Sequence, residues 1–118
     1  MKNYWKEYGQ VILDGIPVLK EVCLIPFKAK AWLDLTERKA NGETVARKNI
    51  KKHKNDVFRL GQLIAAESRQ VLDEEIAVDM KRFLDEMEKE TIDTKALGIR
   101  GSDQKSIVSL LRKCYGID

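Results

Sequence analysis

Histidine and cysteine are scarce in this sequence, and together their scarcity removes a class of protein. The single histidine (His53) and the two widely separated cysteines (Cys23 and Cys114) cannot supply the four ligands of a structural zinc site within one chain. There is no CxxC pair. Both cysteines sit among apolar residues and read as buried thiols in a reducing compartment. No apolar run approaches the roughly 20 residues of a membrane span, and no signal-peptide pattern opens the sequence. The expectation is a cytoplasmic chain with no membrane partner. Also absent are a P-loop, a GxGxxG, a GxSxG and an HExxH.

What is present suits one small domain spanning all 118 residues, with 43% hydrophobic and 35% charged side chains. The fold class is mainly α: a small bundle of about four helices behind a short N-terminal β-hairpin. Residues 1–8 read as either a short helical turn or a frayed arm. Gln10-Val-Ile-Leu13, Asp14-Gly15 and Ile16-Pro-Val-Leu19 read as the hairpin, with Asp-Gly supplying the positive φ angles of a tight turn. Pro17 cannot donate to a ladder and makes its strand an edge or a short one. A lone hairpin is marginal in water, so it must pack on helices or pair with other strands.

Apolar spacing predicts a first helix over 26–40, with Pro26 in its first turn and Gly42 as its stop. Its apolar face is Leu24, Phe27, Ala31 and Leu35, widened by Trp32 and Leu33. A second helix over 48–66 carries Ile50, Val57, Leu60 and Ile64 on one stripe, with Phe58 and Leu63 beside it and His53 on the same side. Gly61 lowers helix propensity by about 1 kcal/mol and marks a close helix crossing. Residues 68–72 break the pattern. A third helix over about 73–90 buries Ile76, Met80, Phe83, Leu84 and Met87, and residues 91–99 hold about one helical turn. Ser102 is the expected N-cap of a last helix that buries Ile107, Leu110, Leu111 and Cys114.

The net charge of +3 says little, but its distribution says more. Between Lys28 and Arg59 ten Lys/Arg face four acids, and between Glu67 and Asp93 ten acids face four bases. Such asymmetry either steers an anionic ligand to one face or joins two oppositely charged helices. The basic face is Arg47, Lys48, Lys51, Lys52 and Lys54. It can meet nucleic-acid phosphates, but it lacks the interleaved aromatics and glycines of an RNA-binding signature.

Three smaller constellations carry possible chemistry. Lys28 and Lys30 near the start of a helix are either surface lysines or point charges for phosphate beside free N–H groups. Asp56 has Lys52 and Arg59 within helical reach, which makes it either a structural ion pair or a carboxylate that orients a lysine. One carboxylate with no second at helical spacing is a poor metal site, so no metal is expected on this chain. Arg47 and His53 form R-x5-H, a spacing that resembles HEPN-type ribonucleases, with His as acid/base and Arg on phosphate. A histidine on an apolar side is more often structural.

The segments Leu24-Ile-Pro-Phe-Lys-Ala-Lys-Ala-Trp-Leu-Asp-Leu and Lys52-His-Lys-Asn-Asp-Val-Phe-Arg-Leu60 carry a family resemblance. The chain resembles the C-terminal part of the AbiEii-type nucleotidyltransferase toxins. These belong to the DNA polymerase β-like nucleotidyltransferases and act in abortive-infection toxin–antitoxin systems. The match runs over about residues 10–64. Lys28 matches the family lysine, Ala31 the alanine three residues on, and Asp56 the first aspartate. Arg59 departs from the pattern, where a second acid is common. In the family the hairpin completes a sheet whose earlier strands carry a G-S motif and the D-x-D metal carboxylates. Neither is found here: Gly101-Ser102 has no following D-x-D.

The resemblance implies a domain that does not transfer nucleotides by itself. Lys28 would contact nucleotide phosphates, and Asp56 would orient Lys28 or support the metal site. Magnesium and a nucleoside triphosphate are implied for an intact family member and not for this chain alone. The implied partner is a catalytic N-terminal half or a homo-oligomer. The alternative is a stand-alone helical module that binds RNA or a protein through its basic face or hairpin edge.

Overall fold

The computed structural model describes residues 10–13 and 16–117. Among these residues four helices carry the fold: α1 (Glu21–Ala40), α2 (Arg47–Gly61), α3 (Glu74–Met87) and α4 (Gln104–Tyr115). Ahead of them the backbones of β1 (Gln10–Leu13) and β2 (Ile16–Leu19) run antiparallel, with Gln10 opposite Leu19. The expected turn at Asp14-Gly15 and the segment 1–8 lie outside the described residues.

The first helix starts at Glu21 and not at Pro26, so the proline lies inside it. A proline there has no N–H for the carbonyl four residues back. That carbonyl belongs to Val22, and the Tyr115 hydroxyl donates to it at 2.8 Å. The orphan acceptor is thus satisfied from the last helix, which lets α1 run through the proline. The extension also corrects its buried face. Ile25, Ala29, Trp32 and Leu33 are buried, whereas Leu24, Phe27, Ala31 and Leu35 are only half-buried.

Around α1 the helices close one core. It packs against α2 and α3, and α4 packs against the same two. Phe58, Phe83, Leu84, Met87 and Leu111 are fully enclosed. Trp32 meets Phe83 edge to face, with ring centroids 5.5 Å apart at 84°. Aromatic pairs favour this geometry because a positive ring edge meets a negative face. Both cysteines are buried free thiols, and burial pushes the Cys23 thiol up to about 11. Neither is poised as a nucleophile. The stripes expected on α3 and α4 are present, though Leu110 is half-buried and Leu63, after α2, is 63% exposed.

Helix ends show the remaining differences. The second helix stops at Gly61 and is followed by turns, so it is shorter than expected. On α4 the N-cap is Asp103 and not Ser102: its carboxylate accepts from the Ser106 amide at 2.8 Å. Gln104 then anchors the loop before α4. Its amide nitrogen donates to the carbonyls of Met87 and Glu90, and its oxygen accepts from the Ile92 amide.

At the α2–α4 crossing a Cβ on Gly61 would lie 2.8 Å from Ile107 Cγ2. Ile107 is buried and stiff at χ1, so it yields little. Gly61→Ala gains about 1 kcal/mol of helix propensity but incurs about 1–3 kcal/mol of overpacking. The expected result is a net loss of about 1 kcal/mol, read as a lower midpoint in denaturant unfolding. A more stable variant would mean that the helices separate freely at this crossing.

Candidate functional site

The two half-buried stripes that α1 and α2 turn toward each other contain the charged residues of interest. On α1 this stripe is Leu24, Lys28, Ala31 and Leu35, and on α2 it includes His53 and Asp56. Lys28 Nζ lies 3.2 Å from Asp56 Oδ2 across the two helices, with side chains 31% and 20% exposed. The other carboxylate oxygen of Asp56 lies 3.6 Å from Arg59 Nη1. The intrahelical Lys52–Asp56 pair that spacing allowed is not made; Lys28 takes that place from the neighbouring helix.

Because α1 begins at Glu21, Lys28 stands about two turns inside the helix. The helix N-terminus expected beside it is therefore not there, and its anion affinity rests on its own ammonium. Lys30 points to another side. It pairs with Asp79 of α3 at 3.3 Å and with Asp34 at 3.8 Å, so the structure does not bring it to Lys28.

His53 lies one turn before Asp56. Its Nδ1 is enclosed without a hydrogen-bond partner, whereas Nε2 is not enclosed in this way. Burial lowers its proton affinity below the ordinary histidine range; Lys28 adds to this, Asp56 opposes it and Lys52 adds again. Arg47 and His53 are separated on α2 by about 9 Å of rise and roughly 240° of rotation, so they form no site within the chain. His53 belongs with Lys28 and Asp56 instead, a grouping that sequence spacing alone did not reveal.

On the basic face, Lys54 is held by Glu90 at 2.7 Å. Arg47, Lys48, Lys51 and Lys52 are exposed and have no ion-pair partner among the described residues. Lys51, Lys54, Asn55 and Arg59 line a cleft of about 390 Å³ against residues 91–97. A roomier cleft of about 740 Å³ lies between the end of α3 and α4 and contains none of the candidate residues. Arg112, in its lining, is engaged by Asp85 at 2.8 Å and Glu88 at 3.2 Å. Arg112 and Lys81 hold the Asp85 carboxyl below the usual carboxylate range.

Among the described residues no cluster of three or more His, Cys, Asp or Glu side chains is placed to hold a metal ion, and no helix is long and apolar enough to cross a membrane. Comparison with protein-family models, with curated proteins and with solved structures found no match.

The pair makes an unequal prediction for its two members. Removing Lys28 leaves Asp56 with Arg59, whereas removing Asp56 leaves Lys28, Lys52 and Arg59 uncompensated. Asp56→Asn should therefore destabilise the fold more than Lys28→Met. A double-mutant cycle should give a coupling of about 0.5–1 kcal/mol for this partly exposed pair, weakening in salt. Equal losses with no coupling would mean that the bridge does not persist in solution.

Proposed function

We propose that this chain is the C-terminal helical domain of an AbiEii-like nucleotidyltransferase, not catalytic by itself, with Lys28 as its contact to nucleotide phosphates. The observation that carries the reading is the 3.2 Å approach of Lys28 to Asp56. These are two of the positions on which the family resemblance rests, and they come from different helices. Asp56 is the positioning residue: it restrains a flexible ammonium at a half-buried spot, which reduces the entropy lost when that ammonium binds phosphate.

The donor set supports phosphate and not a metal. Asp56 is one carboxylate among Lys28, Lys52 and Arg59, and a divalent cation needs more oxygen ligands than that. The magnesium that the resemblance implies would belong to the carboxylates of a separate catalytic half. In this reading that half is the partner, the N-terminal hairpin adds to its sheet, and the assembly is cytoplasmic. A homo-oligomer is the other assembly considered.

A second reading is favoured by the four exposed cations Arg47, Lys48, Lys51 and Lys52, which lack ion-pair partners among the described residues. A helical module could use them to hold RNA or an acidic protein partner, and a steep fall of affinity with salt would mark the RNA case.

Calorimetry with ATP, GTP, CTP and UTP in magnesium separates the two. Binding of at least one nucleotide, weakened tenfold or more by Lys28→Ala, is the expected result. A chain that binds none of them, but binds single-stranded RNA in a salt-sensitive way, would move the function to the basic face.

A further inference from the structure

We propose that His53 is a further ligand-binding residue of the Lys28–Asp56 site, and that phosphate binding there is coupled to uptake of a proton by this imidazole through an exchange of partners. The inference rests on the phosphate-site reading above and extends it to a residue which that reading leaves unused.

The geometry supplies the argument. Asp56 has one strong cationic partner, Lys28 at 3.2 Å, and a looser one, Arg59 at 3.6 Å. His53 sits three residues before Asp56, a spacing that puts their side chains on one face within reach. Yet His53 Nδ1 is enclosed and unpartnered. An enclosed nitrogen with no acceptor favours the tautomer that keeps a lone pair there and the proton on Nε2, because an unmet N–H costs a full desolvation penalty. The charged groups that act on the ring are Lys28 from α1 and Lys52 and Asp56 from its own helix. Two of the three are positive, so the free site disfavours an imidazolium.

An arriving polyphosphate changes each of these conditions. Its oxygens take a share of the Lys28 ammonium's three donors, and the bridge to Asp56 loosens. The carboxylate is then left beside His53 with a free acceptor. The ring takes a proton from solvent, Nδ1–H donates to Asp56, and Nε2–H faces the anion. One proton enters the site, no covalent bond changes, and the unpartnered nitrogen acquires its partner.

His53 is the sole histidine, so its ring protons give one unambiguous NMR titration curve. Inorganic tripolyphosphate is the probe, on the full chain. Without ligand, the His53 midpoint should lie below the ordinary histidine value, rise in Lys28→Ala and fall in Asp56→Asn. With saturating tripolyphosphate the wild-type midpoint should rise by about one pH unit, equivalent to about tenfold tighter binding by the protonated form. The probe's own protonation weakens its charge at low pH and acts in the opposite direction. Asp56→Asn should weaken binding, and at saturating probe it should abolish the rise. Binding that perturbs Lys28 but leaves the His53 midpoint unmoved would overturn the proton coupling and keep the phosphate site. Absence of any binding would overturn both, and a ligand-free midpoint insensitive to Lys28→Ala and Asp56→Asn would overturn the partner exchange by itself.

Discussion

The continuity of α1 through Pro26 is the constraint on which the rest of the domain depends. This helix packs more extensively than α4 does against both α2 and α3, so it does most to set where each of them stands. The proline removes a backbone donor in the second turn, and an unmet carbonyl in a packed helix would favour a break. The Tyr115 hydroxyl supplies the missing donor to Val22 from 93 residues away. With that bond made, one uninterrupted helix presents two faces at once. Ile25, Ala29 and Trp32 go to the core, and Lys28 goes to α2. A break at Pro26 would part Val22 and Ile25, on its N-terminal side, from Lys28, Ala29 and Trp32 beyond it, and the first turn would lose its place on the core.

Four helices were legible in the sequence because their apolar stripes have the helical period, and three of the stripes are the buried ones. Gly61 was legible as a crossing because a glycine inside a helix needs a reason, and Ile107 Cγ2 at 2.8 Å from a would-be Cβ is that reason. The start of α1 was not legible. Proline at a helix start is the commoner arrangement, and nothing local reveals that a distant tyrosine will satisfy Val22. Asp103 displaced Ser102 as the N-cap for a lesser reason, since both residues cap well and only backbone geometry chooses between them. The Lys28–Asp56 pair was suggested by family resemblance, but its distance depends on long-range packing. R-x5-H is a linear spacing, and a helix turns those two residues to different sides; nothing local in the sequence groups His53 with Lys28.

Charge asymmetry along the chain resolves in an uneven way. The acidic third helix does little to neutralise the basic second one. Lys54 reaches only Glu90, just past the end of α3, while Asp79 is shared between Lys30 of α1 and Arg82 of its own helix. Asp85 and Glu88 are taken by Arg112 of α4, and Glu86 by Lys89. These acids are engaged away from α2, and Arg47, Lys48, Lys51 and Lys52 have no ion-pair partner among the described residues. Screening extends over roughly 8 Å at physiological salt, so charges on neighbouring turns reinforce one another while distant ones do not. Lys52, next to His53 and one turn before Asp56, carries this positive field to the α1–α2 seam.

That field bears on what the seam can do. A lone carboxylate surrounded by cations is a poor host for a divalent metal and a good restraint for one lysine. Chemistry that needs both a metal and a triphosphate would then be divided between two structures, one holding the metal by paired carboxylates and one holding phosphate oxygens by Lys28. Such a division makes catalysis depend on the two surfaces meeting. It would also account for a half-buried lysine restrained by an aspartate from a second helix. A purely structural surface bridge contributes little and has no need of a half-enclosed setting with an unpartnered imidazole beside it. The restrained cation, its carboxylate and the unpaired ring nitrogen together support the proposal of a site for an anion from outside the chain.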